Sequence, residues 1–146
     1  MKSRYPAVRI RTFAMDRDYA AVVDLWRNAG EGIRLSPSDE AEEIRKKLER
    51  DADLFLVAEE GDKVVGAVLG GFDGRRGLVY HLAVDENHRR SGCGRGLMEE
   101  LERRLRGRGC LKAYLLVTRD NDEAIAFYEK VGWEIMDLHV MGKPIG

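Results

Sequence analysis

The chain has 146 residues, 44% apolar and 35% charged, with 25 Lys plus Arg set against 26 Asp plus Glu. That length suits one domain (1–146) whose core needs no disulfide or metal staple, and a net charge of −1 lacks the basic excess of a fold built to hold nucleic-acid phosphates. Cys93 and Cys110 have no CxxC spacing or clustered histidine, which argues against a metal site, and no apolar run approaches the roughly 18 residues of a membrane span.

Val8 to Phe13 alternates apolar and polar residues, as a half-buried strand does. Asp16 can cap a first helix in which Tyr19, Val22, Val23 and Trp26 recur at helical spacing, and Gly30 stops it. A loop carrying Glu31 and Arg34 leads to Ser36-Pro37-Ser38-Asp39, a capping box with proline at the first position. It opens a second helix whose buried stripe is Ala41, Ile44 and Leu48.

Leu54 to Glu59 and Lys63 to Gly70 read as strands joined around Gly61-Asp62. After the Asp73-Gly74 turn comes another from Leu78 to Val84, completing an antiparallel meander. The third helix runs from Gly94 to Arg106, with Leu97, Met98, Leu101 and Leu105 inward and Glu99–Arg103, Glu100–Arg104 and Glu102–Arg106 as outward i,i+4 pairs. A strand from Leu111 to Val117 and a helix from Asp122 to Val131, ending at Gly132, follow. One or two closing strands are expected within Trp133 to Ile145.

Chemistry concentrates between Val84 and Gly96. The segment Asp85-Glu86-Asn87-His88-Arg89-Arg90-Ser91-Gly92-Cys93-Gly94-Arg95-Gly96 leaves a strand and enters a helix. Glycines there expose backbone N–H groups, the helix start adds unpaired donors, and Arg89, Arg90 and Arg95 add charge, so the segment is suited to an anion. The plainer reading is a surface turn whose glycines serve only the turn. Neither Gly-x-x-x-x-Gly-Lys-Ser/Thr nor Gly-x-Gly-x-x-Gly is present, which sets aside two rival phosphate motifs.

Leu82-Ala83-Val84 followed by Arg89-Arg90-Ser91-Gly92-Cys93-Gly94 resembles the central acetyl-CoA motif of the GNAT superfamily of N-acetyltransferases. Asn121-Asp122-Glu123-Ala124-Ile125-Ala126-Phe127-Tyr128-Glu129-Lys130-Val131-Gly132-Trp133 is similar to that family's second landmark, Asn-x-x-Ala-x-x-Phe-Tyr-x-x-x-Gly-Phe. The likeness extends over nearly the whole chain. It is closest to small stand-alone bacterial acetyltransferases of unassigned substrate, through Leu54 to Glu59 and Gly70 to Gly77. The resemblance implies an α+β fold, a mostly antiparallel sheet of six to seven strands flanked by four helices in the order β-α-α-β-β-β-α-β-α-β-β.

It also implies an enzyme that moves an acetyl group from acetyl-CoA, without a metal, onto a primary amine of a small molecule or peptide by direct attack on the thioester. The alternative is a catalytically weak CoA-binding sensor on the same fold. Cofactor contacts are expected from Leu82, Ala83, Val84, Arg89, Arg90, Gly92, Cys93, Gly94, Arg95, Asn121 and Tyr128. The strand bearing Leu82 is expected to bulge and to splay from the Leu111 to Val117 strand.

Tyr128 is the expected general acid for the departing thiolate, a phenol of ordinary pKa about 10 facing a thiol near 8.5. Its plainer reading is a core aromatic beside Phe127, and that of Asn121 a helix cap. For the base, His81 and Glu31 compete with bulk water. Tyr80 and His81 are consecutive on a strand and so should face opposite ways. Leu116 stands where acetyltransferases of ribosomal-protein N-termini often carry a glutamate, which argues against simple transfer of that assignment. A cytoplasmic monomer or homodimer, with no nucleic-acid or membrane partner, completes the expectation.

Overall fold

The computed structural model describes residues 8–30 and 33–146. They fall into two compact units, 1–116 and 117–146, each treated by itself below. In the first unit five strands form one sheet in chain order: β1 (Val8–Thr12), β2 (Phe55–Glu60), β3 (Lys63–Phe72), β4 (Gly77–Val84) and β5 (Ala113–Leu115). β1 to β4 pair antiparallel. β5 pairs parallel to β4, since α3 (Cys93–Gly107) returns the chain between them.

α1 (Met15–Arg27) and α2 (Ala41–Asp51) cover one face. Their apolar stripes bring Val22, Trp26 and Ile44 onto Phe55, Val57 and Ala83. Burying each large side chain of this group stabilises the fold by about 1.5–3 kcal/mol. Phe13 stacks on Phe55 with ring centroids 3.9 Å apart.

α3 covers the other face with Leu97, Met98 and Leu101, all fully buried. It lies close because β3 carries glycines beneath it. A Cβ at Gly66 would stand 2.9 Å from Cys93 Sγ, and one at Gly70 2.6 Å from Leu101 Cδ1. This close seating fixes where the helix begins relative to the end of β4. No described helix is long and apolar enough to cross a membrane.

Several local expectations need correcting. Asp16 does not cap α1. The carboxylate of Asp18 accepts the Ala14 N–H at 2.8 Å, and Arg11 holds it there at 2.7 and 2.9 Å. The Ser36 capping box forms, but it closes a separate turn, Pro37–Asp39, and extended Glu40 (ψ 155) intervenes before α2. On α3, Glu100 takes Arg104 at 2.8 Å as expected and also Arg103 at 2.9 Å.

In the second unit α4 (Asp122–Lys130) starts at Asn121, whose Oδ1 accepts the Ala124 N–H at 3.2 Å. Gly132 at φ 98 ends it, and the Trp133 N–H donates to the Tyr128 carbonyl at 2.9 Å. The closing strands expected within Trp133 to Ile145 do not form, so the sheet has five strands among the described residues rather than six to seven. Alternation permits a strand, but only a ladder with a neighbour stabilises one. Without that ladder, Ile135, Val140 and Ile145 are 73%, 68% and 91% exposed.

Candidate active site

The loop after β4 leaves backbone donors and open space at the start of α3. Asp85 donates its N–H to the Val65 carbonyl at 2.8 Å, and Glu86–His88 then makes a single tight turn. Arg90 (φ 65) and Gly92 (φ 86) both adopt the left-handed conformation. Gly92 is the N-cap of α3, and Gly96 N–H is taken by the Gly92 carbonyl at 2.9 Å. The N–H groups of Cys93, Gly94 and Arg95 precede that first bond and have no backbone acceptor among the described residues.

Space above the turn is open, since a Cβ added at Gly92 would meet nothing within 4 Å. Arg89, Arg90 and Arg95 are exposed around it. Cys93 contributes through its backbone alone: its side chain is 4% exposed against Gly66, and burial pushes the thiol up to about 11. Unpaired donors, a helix start and three arginines therefore fit a pyrophosphate.

β4 bulges, as expected of the strand that bears Leu82. Leu69 pairs with His81 and Gly70 with Val79, which leaves Tyr80 without a partner. One extra residue cancels one alternation of side chains. Tyr80 and His81 consequently face the same side, correcting the expectation of opposite faces: Tyr80 lies beside Lys47 of α2, and His81 against Trp26 of α1. Beyond the bulge, Leu82, Ala83 and Val84 pair with Val68, Ala67 and Gly66, whereas β5 reaches only Gly77 to Val79. The two strands thus part company at the bulge, as expected.

His81 Nε2 lies 3.0 Å from Asp39 Oδ1, and the ring meets Trp26 edge-on at 5.0 Å. Oδ2 of the same carboxylate accepts the Ser36 N–H at 3.1 Å, and Tyr19 donates its hydroxyl to the Asp39 carbonyl at 2.9 Å. Asp39 is therefore fixed by two bonds before it meets the imidazole. When Nε2 carries the proton toward Asp39, the lone pair sits on Nδ1. Sequence reasoning assigned Asp39 to the capping box and missed this second bond, because nothing local links two residues 42 apart. Tyr80 is 48% exposed, and burial, aided by Asp51 and Asp73, holds its hydroxyl above the ordinary phenol range.

In the second unit Tyr128 is half-buried and meets Phe127 and Trp133 edge-on, at 5.3 and 6.5 Å. Burial pushes its phenol up to about 12, so it keeps its proton at neutral pH. It is thus better suited to donating a hydrogen bond than to giving up its proton. Asn121 uses its amide oxygen as a cap and retains its NH2 as a donor. Glu31 lies outside the described residues.

A groove of about 660 Å³ runs beside α1 and is lined by Arg11, Arg17, Asp18, Lys63 and Asp85 among others. His81 and the Arg89 to Gly96 turn are not part of its lining. Its central charges already pair with each other, Arg11 with Asp18 at 2.7 Å and with Glu59 at 2.9 Å. That wall offers little to an uncharged thioester arm.

Comparison with known proteins bears on the same residues. The acetyltransferase (GNAT) family profile matches residues 19–133. An acetyltransferase of Pectobacterium atrosepticum is 42% identical over 137 residues, covering 93% of this chain and 94% of that protein. Among solved structures, Ard1 from Thermoplasma volcanium superposes with a TM-score of 0.78 at 28% identity, over 89% of this chain and 84% of that one. The PaiA N-acetyltransferase of Thermoplasma acidophilum, solved in complex with coenzyme A, gives 0.76 at 19% identity over 91% and 93%, a likeness of fold.

Proposed function

The chain belongs to the acetyltransferase (GNAT) family and is an acyltransferase, and from that premise we propose that it transfers the acetyl group of acetyl-CoA directly to a primary amine of a small molecule or peptide. The observation that carries this reading is the turn at Gly92, where a left-handed residue opens three unpaired N–H groups toward a ring of exposed arginines.

Each residue then has a physical task. The N–H groups of Cys93, Gly94 and Arg95, with Arg89, Arg90 and Arg95 side chains, hold the pyrophosphate. The backbone of Leu82, Ala83 and Val84, free of β5, receives the extended arm, and the Asn121 NH2, left over from its cap, takes the cofactor contact that the family resemblance implies. When bound, acetyl-CoA supplies an activated carbonyl. Correct positioning against it lowers the barrier by about 7–11 kcal/mol, so few catalytic groups are needed.

The attacking amine must first be neutral. His81, oriented by Asp39, serves as the base, directly or through one water, with Glu31 as the competing base. The Tyr128 hydroxyl, kept protonated by burial, donates to the sulfur that departs.

The test is an acetylation assay of the whole chain against a broad panel of amines, reading thiol release and the mass of each product. An N-acetyl product formed with equimolar CoA supports direct transfer. Binding of acetyl-CoA without thiol release for any amine overturns it in favour of a CoA-binding sensor.

A further inference from the structure

Just before the arginines, His88 is gripped by two carboxylates from different parts of the fold. Its Nδ1 lies 2.9 Å from Asp85 Oδ2, and its Nε2 lies 3.0 Å from Glu60 Oε2. Glu60 ends β2, whereas Asp85 follows β4, so the ring ties the β2–β3 hairpin to the start of the anion loop. The ring is 18% exposed, and the two carboxylates 25% and 26%. The bond from His88 holds the Asp85 carboxyl below its usual range, against the opposing effect of burial, and Lys63 on β3 adds to it. Glu86 and Arg89 flank the group on its own segment.

Hydrogen-bond inventory bears on which form of the ring suits this clasp. An ionised carboxylate only accepts, and a neutral imidazole has a single N–H. Both contacts are satisfied together only by the imidazolium. In the neutral ring one nitrogen lone pair would face a carboxylate oxygen at about 3 Å, a repulsive contact. The backbone relays the constraint. The Ser91 hydroxyl donates to the His88 carbonyl, and Ser91 precedes Gly92, the left-handed cap of α3.

We propose that His88 is a positioning residue for the cofactor loop: its imidazolium, clasped by Glu60 and Asp85, holds residues 88–92 in their anion-binding form, so affinity for acetyl-CoA falls as His88 loses its proton. This rests on the reading that the loop holds the pyrophosphate. The role is separate from the chemistry at the thioester, since both nitrogens of the His88 ring are engaged by Asp85 and Glu60.

The clasp makes an unusual demand of Glu60→Gln. A glutamine can donate through its NH2 to the bare nitrogen of a neutral ring while Asp85 accepts from the other. It therefore supports the clasp at a pH where the wild-type clasp fails.

The experiment titrates the full chain with CoA by calorimetry between pH 5.5 and 8.5, for wild type, Glu60→Gln and His88→Phe, each checked for its native thermal transition. CoA phosphates titrate near pH 6, so variants are compared with wild type at each pH. Wild-type affinity should fall by about tenfold as pH rises, the scale of a charge-assisted hydrogen bond. Glu60→Gln should keep tight binding with a flattened profile, and His88→Phe should bind weakly throughout. Parallel profiles for wild type and Glu60→Gln, or wild-type affinity in His88→Phe, overturn the proposal. If wild type binds no CoA at any pH, the phosphate-loop reading itself fails. Imidazole proton NMR distinguishes that case, since it reports whether the His88 ring carries two N–H protons in wild type and one in Glu60→Gln.

Discussion

Gly92 and Gly109 form a matched pair for testing the anion loop. Their φ angles are 86 and 85, and a Cβ added at either meets nothing within 4 Å. Alanine at each position thus carries the same penalty, strain of an L-residue in the left-handed region, of about 1–2 kcal/mol. Gly109 follows the far end of α3, away from the cofactor loop. Gly109→Ala should therefore lower the melting temperature by about 2–8 °C, at roughly 2–4 °C per kcal/mol, without affecting acetyl-CoA affinity.

Gly92→Ala divides the same strain. The part relieved when the free loop relaxes to negative φ returns on binding, weakening affinity by up to about 5–30-fold, and any remainder lowers the melting temperature. Gly92→Glu adds a carboxylate to the open space where an anion is to bind, and should abolish calorimetric binding. Wild-type affinity in Gly92→Glu, or equal loss of binding in the two alanine variants, would refute the assignment of this turn to the pyrophosphate.

Tyr128→Phe should reduce turnover by about 10²-fold with the KM for acetyl-CoA nearly unchanged, and an unaltered kcat removes the phenol from the chemistry. Asp39→Asn can donate to His81 Nε2, driving the ring proton onto Nδ1 and removing the base; kcat should fall by a similar ~10²-fold, whereas wild-type kcat would leave Glu31 or water in that role. Asp51 is 2% exposed and receives Lys47 at 2.8 Å, Arg108 at 2.8 Å and the Phe72 N–H at 3.2 Å. Asp51→Asn breaks this junction of α2, β3 and α3 and should cost about 3 kcal/mol in urea unfolding; a loss within the error of the extrapolation would mark the cluster as solvated. Burial pulls Asp18 and Asp51 upward in pKa, but bonds from Arg11 and the Ala14 N–H in one case, and from Lys47, the Phe72 N–H and Arg108 in the other, hold both below the usual range. The unfolded chain then binds more protons around pH 4, so their contribution is present above about pH 4 and is lost as pH falls through the folded values; acid unfolding that ignores Asp51→Asn contradicts this.

The helices and the meander were open to reading because their cause is local. A stripe such as Leu97, Met98, Leu101 and Leu105 repeats at the helical period, and Gly61-Asp62 marks its hairpin whatever lies elsewhere. Closing strands within Trp133 to Ile145 were misread since alternation records what a segment tolerates, and a ladder depends on an edge the pattern cannot supply. The facing of Tyr80 and His81 is of the same kind: the resemblance implied a bulge on this strand, but which residue it displaces follows from two strands of unequal count against one another, visible in neither alone.

The site residues show why a correct local reading can still be half an answer. Asp39 has two oxygens, and the one that takes Ser36 N–H three positions away was legible, while the one that takes His81 was not. His88 has two nitrogens, one facing Asp85 at i−3 and the other Glu60, 28 residues off. Asn121 spends its oxygen as a cap and keeps its NH2. Each group bears two valences, and short-range pattern accounts for one. What remains after the local partner is counted is the capacity that tertiary structure can turn to orientation or binding. A cap, a turn or an i,i+3 contact therefore does not retire a polar residue from a functional role. It tells which of its atoms is already engaged, and hence through which atom any function must act.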